Sequence, residues 1–203
     1  MSRAMAVRAG APAMLASLFC AGAALAHHSG YMYQSTPVWI SGTVIDAEPR
    51  NPHTWTTVEV TSAGTLRRWV VEGPGQSQLE RMGIAADLPQ AGDTVTFCAY
   101  PYREEYLAQF SSTDADGTPR QLIEGHVLVR PDGAMRFWDP HGLLSACMRS
   151  GDLDRQQWLD FLRSDSRVTA AWCQQQAFEA VRTDEALSAL VEQIDTELDE
   201  PCR

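Results

Sequence analysis

Seven segments rich in β-branched and aromatic residues follow one another between residues 38 and 138, separated by turns that contain Gly or Pro. Runs of this composition and spacing are typical of β-strands. The segments are Val38–Ala47, Thr54–Thr61, Leu66–Glu72, Thr94–Tyr100, Leu107–Thr113, Gln121–Arg130 and Ala134–Trp138. A short helical pattern lies between the third and fourth of them, with Ser77 as the expected N-cap and Gly83 as the expected stop. This pattern restricts the region to a small β-sheet or barrel.

The order of these elements favours one architecture. Three strands, a short helix and two or more further strands are the order of a small OB-like Greek-key barrel. An open β-meander carries the same local signals and is the alternative. On the fourth strand, Val95, Phe97 and Ala99 share one face. If that face fills the barrel, Cys98 points outward, where another element can reach it.

Beyond the β-rich region the pattern becomes helical. Asp152–Arg163, Arg167–Val181 and Asp184–Leu198 all show helical periodicity. Helices of this total length bury little surface alone, so we expect them to pack against the barrel. The sequence therefore predicts a mainly β fold, with a barrel domain over residues 27–140 and a disulfide-linked α-helical appendage over residues 141–203.

Residues 1–26 have the features of a secretory signal peptide. Arg3 and Arg8 form a positive start, and the mostly apolar stretch that follows is too short to span a bilayer comfortably. Ala24-Leu25-Ala26 is the small-x-small pattern of a cleavage site. An uncleaved anchoring helix is the alternative. We predict a periplasmic or secreted protein without an integral membrane span after processing.

The processed chain would keep four cysteines, at positions 98, 147, 173 and 202. An even number in an oxidising compartment predicts two disulfides, for which three pairings are possible. We expect the outward-facing Cys98 to bond to the helical region, whereas the sequence does not choose its partner among Cys147, Cys173 and Cys202. The absence of a CxxC spacing argues against a zinc knuckle or a thioredoxin-type site.

The charge of the chain argues against binding to nucleic acids or anionic membranes. There are 26 acidic residues and 16 basic ones, all arginine, which gives a net charge of −10. Binding to nucleic acids or anionic membranes depends on clustered positive charge. We therefore predict no nucleic-acid partner.

The histidine at the predicted cleavage site gives the most specific indication of a functional site, which is a metal site. Cleavage after Ala26 would make His27 the N-terminal residue, which offers both its α-amine and its ring Nδ1 to a metal. A third nitrogen from a distant histidine would complete an N₃ site that suits copper. Cleavage after Ala24 would instead place His27 third in the chain, which is also a Cu(II)- or Ni(II)-binding arrangement.

His53, in the turn Asn51-Pro52-His53, is the expected partner of His27, and His28 is an alternative ligand. In an OB barrel this first turn borders the usual binding face. The alternative is that His27 and His28 form a solvated tail and that His53 is an ordinary turn residue.

Glu72 closes the apolar run that precedes Gly73-Pro74. A carboxylate at this position could orient a metal-binding histidine or act as a general base; alternatively, it caps the following turn. We expect His126 and His141 to be structural. The sequence contains no Ser/His/Asp triad order, phosphate loop or HExxH motif.

Several of these motifs together resemble a family of small exported bacterial proteins of unknown function. They are Ala26-His27-His28-Ser29, Tyr33, Gly42-Thr43-Val44, Asn51-Pro52-His53, Trp69-x-x-Glu72-Gly73-Pro74, Gly83 and Pro89-x-x-Gly92-Asp93. The resemblance covers roughly residues 26–135 and implies a small secreted β-rich domain with no established activity. It also implies His27, His28 and His53 as site residues, with Glu72 beside them. Gln34 departs from the family pattern, where an acidic residue is common.

The leading hypothesis is an exported copper-binding module in envelope metal handling, formed by His27, His53 and, as the alternative ligand, His28. No reaction is assigned, although a copper-dependent oxidase or monooxygenase is compatible with such a site. The rival hypothesis is an OB-type adaptor that binds an envelope protein, peptide or glycan with neither metal nor catalysis. A structural envelope protein is the third alternative.

Overall fold

The computed structural model describes residues 32–138, 144–151, 153–164, 167–170 and 196 of the 203-residue chain. The predicted signal peptide, His27, His28, His141, Cys173 and Cys202 lie outside the described residues, so the expectations about them stay predictions. The strands are β1 (Val38–Glu48), β2 (His53–Ser62), β3 (Thr65–Pro74), β4 (Thr94–Pro101), β5 (Ser111–Thr113), β6 (Pro119–Val129) and β7 (Met135–Phe137). The helices are α1 (Gln76–Met82), α2 (Glu104–Phe110), α3 (Leu144–Ser150) and α4 (Arg155–Ser164).

Five of the strands close into a barrel. They lie in the order β3-β2-β1-β4-β6, and β3 then pairs with β6 in parallel, which joins the two ends of the sheet. The other pairs in this ring are antiparallel. Because β3 and β6 are paired, the open meander is excluded and the predicted OB-like barrel is confirmed. The short strands β5 and β7 extend the sheet from β6.

The barrel interior is filled by residues that alternate along the strands. Val44, Val58, Val71, Phe97 and Ile123 are almost fully buried in one hydrophobic cluster. The predicted inward face of β4 is confirmed, since Val95 and Ala99 belong to the same cluster. Alternation then places the neighbouring residues of each strand on the outer face.

Helix α1 begins two residues earlier than predicted. Its N-cap is Gly75, not Ser77, and Gly83 ends the helix in the left-handed conformation as expected. The Ser77 N–H donates instead to Oδ1 of Asn51, at 3.1 Å. Gly75 has no side chain to cap the helix, so Asn51 in the β1–β2 turn accepts the hydrogen bond from the first turn of α1.

The predicted strand over residues 107–113 is wrong for most of its length. Residues Glu104–Phe110 form α2, and only Ser111–Thr113 are extended. Tyr106, Leu107 and Phe110 pack against a buried aromatic cluster, and their helical spacing places them on one side of α2. Tertiary packing thus outweighed the local strand propensity.

A second hydrophobic cluster lies on the outer face of β4 and β6. It contains Cys98, which bonds to Cys147 of α3, so the prediction that Cys98 is tied to the C-terminal region is confirmed. Trp158, Leu159 and Leu162 of α4 are buried in this cluster. Helix α3 was not predicted. The expected helix over residues 152–163 is observed as α4, and most of residues 167–198 lie outside the described ranges.

None of the helices within the described part of the chain is long and apolar enough to span a membrane.

Candidate functional site

His53 and Glu72 form a half-buried pair on the outer face of the barrel. His53 opens β2 directly after the cis Asn51–Pro52 peptide bond, and Glu72 lies near the end of β3. Nδ1 of His53 is 3.0 Å from Oε1 of Glu72. Only 19% of the His53 side chain and 13% of the Glu72 side chain are exposed. The pairing orients the imidazole ring.

A second pair of the same kind lies on β6, the strand that pairs with β3. Nε2 of His126 is 3.1 Å from Oε2 of Glu124, on β6. Glu72 and Glu124 are register partners in the parallel β3–β6 pair, so their side chains point to the same face. His53, Glu72, Glu124 and His126 thus follow one another across β2, β3 and β6, and we call them the histidine–carboxylate row.

His126 differs from His53 in its burial. Only 7% of its side chain is exposed, and its ring lies against Tyr100 with centroids 4.5 Å apart. Nδ1 of His126 is buried and has no hydrogen-bond partner among the residues that the structure describes. Leaving such an atom unpaired costs roughly 1–3 kcal/mol, so His126 is not a fully satisfied structural histidine.

Two buried tyrosines lie in the electrostatic field of the row. The hydroxyls of Tyr33 and Tyr102 are 3.1 Å apart, and both side chains are buried. Burial, together with the carboxylates of Glu72 and Glu124, raises the pKa of Tyr102 to about 12, although the hydrogen bond with Tyr33 acts in the opposite direction. Burial, followed by the same two carboxylates, also raises the pKa of Tyr33 well above its usual range. Both phenols are therefore neutral at physiological pH.

These shifts predict a loss of stability in alkali. Because the folded-state pKa values lie above the unfolded value near 10, the stabilisation is complete below pH 10 and is lost as the pH rises beyond it. Each tyrosine should contribute a slope of about −1.4 kcal/mol per pH unit in that range. Urea unfolding between pH 8 and 11.5 should therefore show a shallower decline for Tyr33→Phe than for the wild type. Parallel pH profiles for the two proteins would contradict the assignment.

The chain segment that precedes β1 is fastened to the barrel beside the row. Tyr33 forms an isolated antiparallel bridge with Tyr102. Nε of Arg103 donates to the Tyr33 carbonyl at 2.9 Å, and the Gln34 N–H donates to the Pro101 carbonyl at 2.8 Å. Residues 32–34 are therefore held against the end of β4 and the residues that follow it.

A groove of about 290 Å³ adjoins the row on the same outer face. Its floor is formed by Trp55, Val70 and Leu122, each two residues from a member of the row on β2, β3 and β6 respectively. The His53 and Trp55 ring centroids are 6.2 Å apart. We call this feature the Trp55 groove.

The described residues do not make a metal centre by themselves. No group of three or more His, Cys, Asp or Glu within the described ranges is arranged to hold a metal ion. Of the predicted site residues, the structure brings His53 and Glu72 together, while His27 and His28 lie outside the ranges that it covers.

Sequence reasoning did not include Glu124 in the site and treated His126 as structural. A usable signal was present, because Glu124 and His126 are two residues apart on a strand and so project to one face. Their proximity to Glu72 depends on the parallel β3–β6 pairing, which is a tertiary feature.

Residues 14–110 match DUF6152, which is described as a family of unknown function. The matched range includes His27, His53 and Glu72 but ends before β6, so Glu124 and His126 lie outside it. No curated protein matches the chain. The family match is consistent with the resemblance to an uncharacterised family and assigns no activity.

Proposed function

We propose that this protein is an exported copper-binding module that handles copper in the cell envelope. The α-amine and ring of His27 in the processed chain would supply two nitrogens, and His53 the third, with His28 as the alternative ligand. The observation that carries the proposal is the contact of 3.0 Å between His53 Nδ1 and the Glu72 carboxylate.

That contact is the arrangement that metal-binding histidines commonly adopt. A carboxylate on one ring nitrogen fixes the tautomer and orientation of the ring and makes the other nitrogen a stronger ligand. Glu72 would thus make Nε2 of His53 a stronger metal ligand. The position is half-buried at the barrel surface, so a ligand from another part of the chain can reach it.

Chain connectivity supports His27 as that other ligand. His27 precedes Tyr33 by six residues, and six extended residues reach at most about 20 Å. Tyr33 is fixed to Tyr102, and both phenols are close enough to Glu72 for its charge to raise their pKa values. A connecting segment of this length is compatible with a processed N-terminus that contributes to the proposed site.

A copper titration of two forms of the protein tests this proposal. One form begins at His27, and the other carries three additional glycines before His27, so that neither His27 nor His28 is the second or third residue of the chain. In the extended form the α-amine no longer chelates together with the His27 ring. We expect Cu(II) affinity, measured by competition with a chromogenic chelator, to fall more than tenfold on extension.

The control for this comparison is His141→Ala in both forms, which should leave the affinity ratio unchanged. Equal Cu(II) affinity of the processed and extended proteins would contradict the proposal and would favour the adaptor hypothesis.

A further inference from the structure

We propose that the Trp55 groove binds a short acidic sugar, one or two units long and carrying a hexuronate carboxylate. This site is separate from the proposed copper ligands, and its occupation does not require a metal.

The floor offers a flat apolar surface that is continuous across three strands. Val70 is 5% exposed, whereas Trp55 and Leu122 are half-buried and present part of their side chains to the groove. Phe110, at the end of α2, closes one side and is itself stacked on Tyr102 at 3.9 Å. Aromatic and aliphatic surfaces of this kind suit the C–H face of a sugar ring.

The side of the groove next to β6, which includes β5, is polar and exposed. Gln109, Ser111 and Ser112 line it and are all exposed. Hydroxyl and amide groups both donate and accept hydrogen bonds, which matches the hydroxyls of a sugar. The volume of about 290 Å³ is at the small end of ligand sites and limits the ligand to one or two units.

Two arginines line the groove on a chain of net charge −10. Arg50 and Arg120 line the groove together with a single acid, Glu48. The Arg50 guanidinium lies 5.6 Å from the centre of the Trp55 ring. The two guanidinium groups offer paired donors to a carboxylate, while the negative charge of the whole chain disfavours a long polyanion.

Both arginines can turn toward a ligand at small cost. Arg50 pairs with Glu48 at 3.2 Å, with 57% of the arginine side chain exposed. Arg120 pairs with Asp114 at 3.6 Å, with 40% of the arginine side chain exposed. Exposed ion pairs of this kind contribute little to stability, so exchanging them for a bidentate contact with a ligand carboxylate is favourable.

Calorimetry on copper-free protein tests the proposal with digalacturonate as the probe and a neutral disaccharide of the same linkage as the reference. We expect the acid to bind at least tenfold more tightly than the neutral sugar. Arg120→Gln should remove most of this preference, and Trp55→Ala should weaken binding of both sugars, with Trp55→Phe restoring part of it.

Arg67→Gln is the matched control, because Arg67 also lies over a tryptophan, 5.4 Å from the centre of the Trp69 ring, but does not line the groove. It should bind digalacturonate as the wild type does. Equal affinity for acidic and neutral sugars, absence of binding at millimolar concentration, or tighter binding of an acidic tetrapeptide would each overturn the proposal. Because copper is absent from this experiment, its outcome is independent of the copper titration.

Discussion

Replacing Cys98 and Cys147 together with alanine should lower the free energy of unfolding by about 4 kcal/mol. The bridge closes a loop with a sequence separation of 49, and restricting the unfolded chain by a loop of this length accounts for about that amount. It joins β4 to α3 in a cluster where both cysteines are fully buried. Urea unfolding of the wild type and of the double variant under non-reducing conditions measures the difference.

The single variant Cys98→Ala provides a matched control, since it also breaks the bridge but leaves Cys147 as a free thiol. Its stability should lie close to that of the double variant. A double variant within 1 kcal/mol of the wild type would contradict a structural role for the bridge.

Replacing His53 with alanine should weaken Cu(II) binding by about a hundredfold in the processed protein. The variant removes a proposed ligand, and loss of a partner that merely orients a ligand already costs 10–100-fold in metal affinity. Glu72→Gln should fall within that smaller range, because the amide can still accept a hydrogen bond but lacks the charge. Chelator competition at constant pH measures both effects.

Glu59→Gln is the matched control for Glu72→Gln. Glu59 is a carboxylate on β2, the strand next to β3, but it pairs with Arg68 at 3.1 Å and contacts no member of the histidine–carboxylate row in the described structure. Its copper affinity should equal that of the wild type. If Glu72→Gln binds copper as tightly as Glu59→Gln does, the Glu72 carboxylate does not strengthen His53 as a copper ligand.

The barrel could be predicted from the sequence because its signals are local. Each barrel strand is a β-branched run bounded by a turn, and the Ala63–Gly64 turn and the Gly83 helix stop adopt the positive φ angles that such positions require. The outward direction of Cys98 follows from simple alternation along β4. Helix α2 was mispredicted because its apolar residues suit either a strand or a helix until they pack against the tyrosines.

The candidate site could be predicted only in part. His53 and Glu72 stand out in the sequence, one in a proline-containing turn and the other before Gly73-Pro74. Their contact needs the antiparallel β2–β3 register, which the short hairpin at residues 63–64 sets locally. Glu124 joins them only through the parallel closure of the barrel between residues far apart in the chain, which no local pattern encodes.

Electron paramagnetic resonance of the processed protein with one equivalent of Cu(II) tests the proposed copper site most directly. Nitrogen superhyperfine structure reports how many nitrogens bind the metal. We predict three nitrogens for the protein that begins at His27 and two for its His53→Ala variant, with an unchanged spectrum for His141→Ala. The same number of nitrogens in the wild type and in His53→Ala would contradict a site formed by His27 and His53.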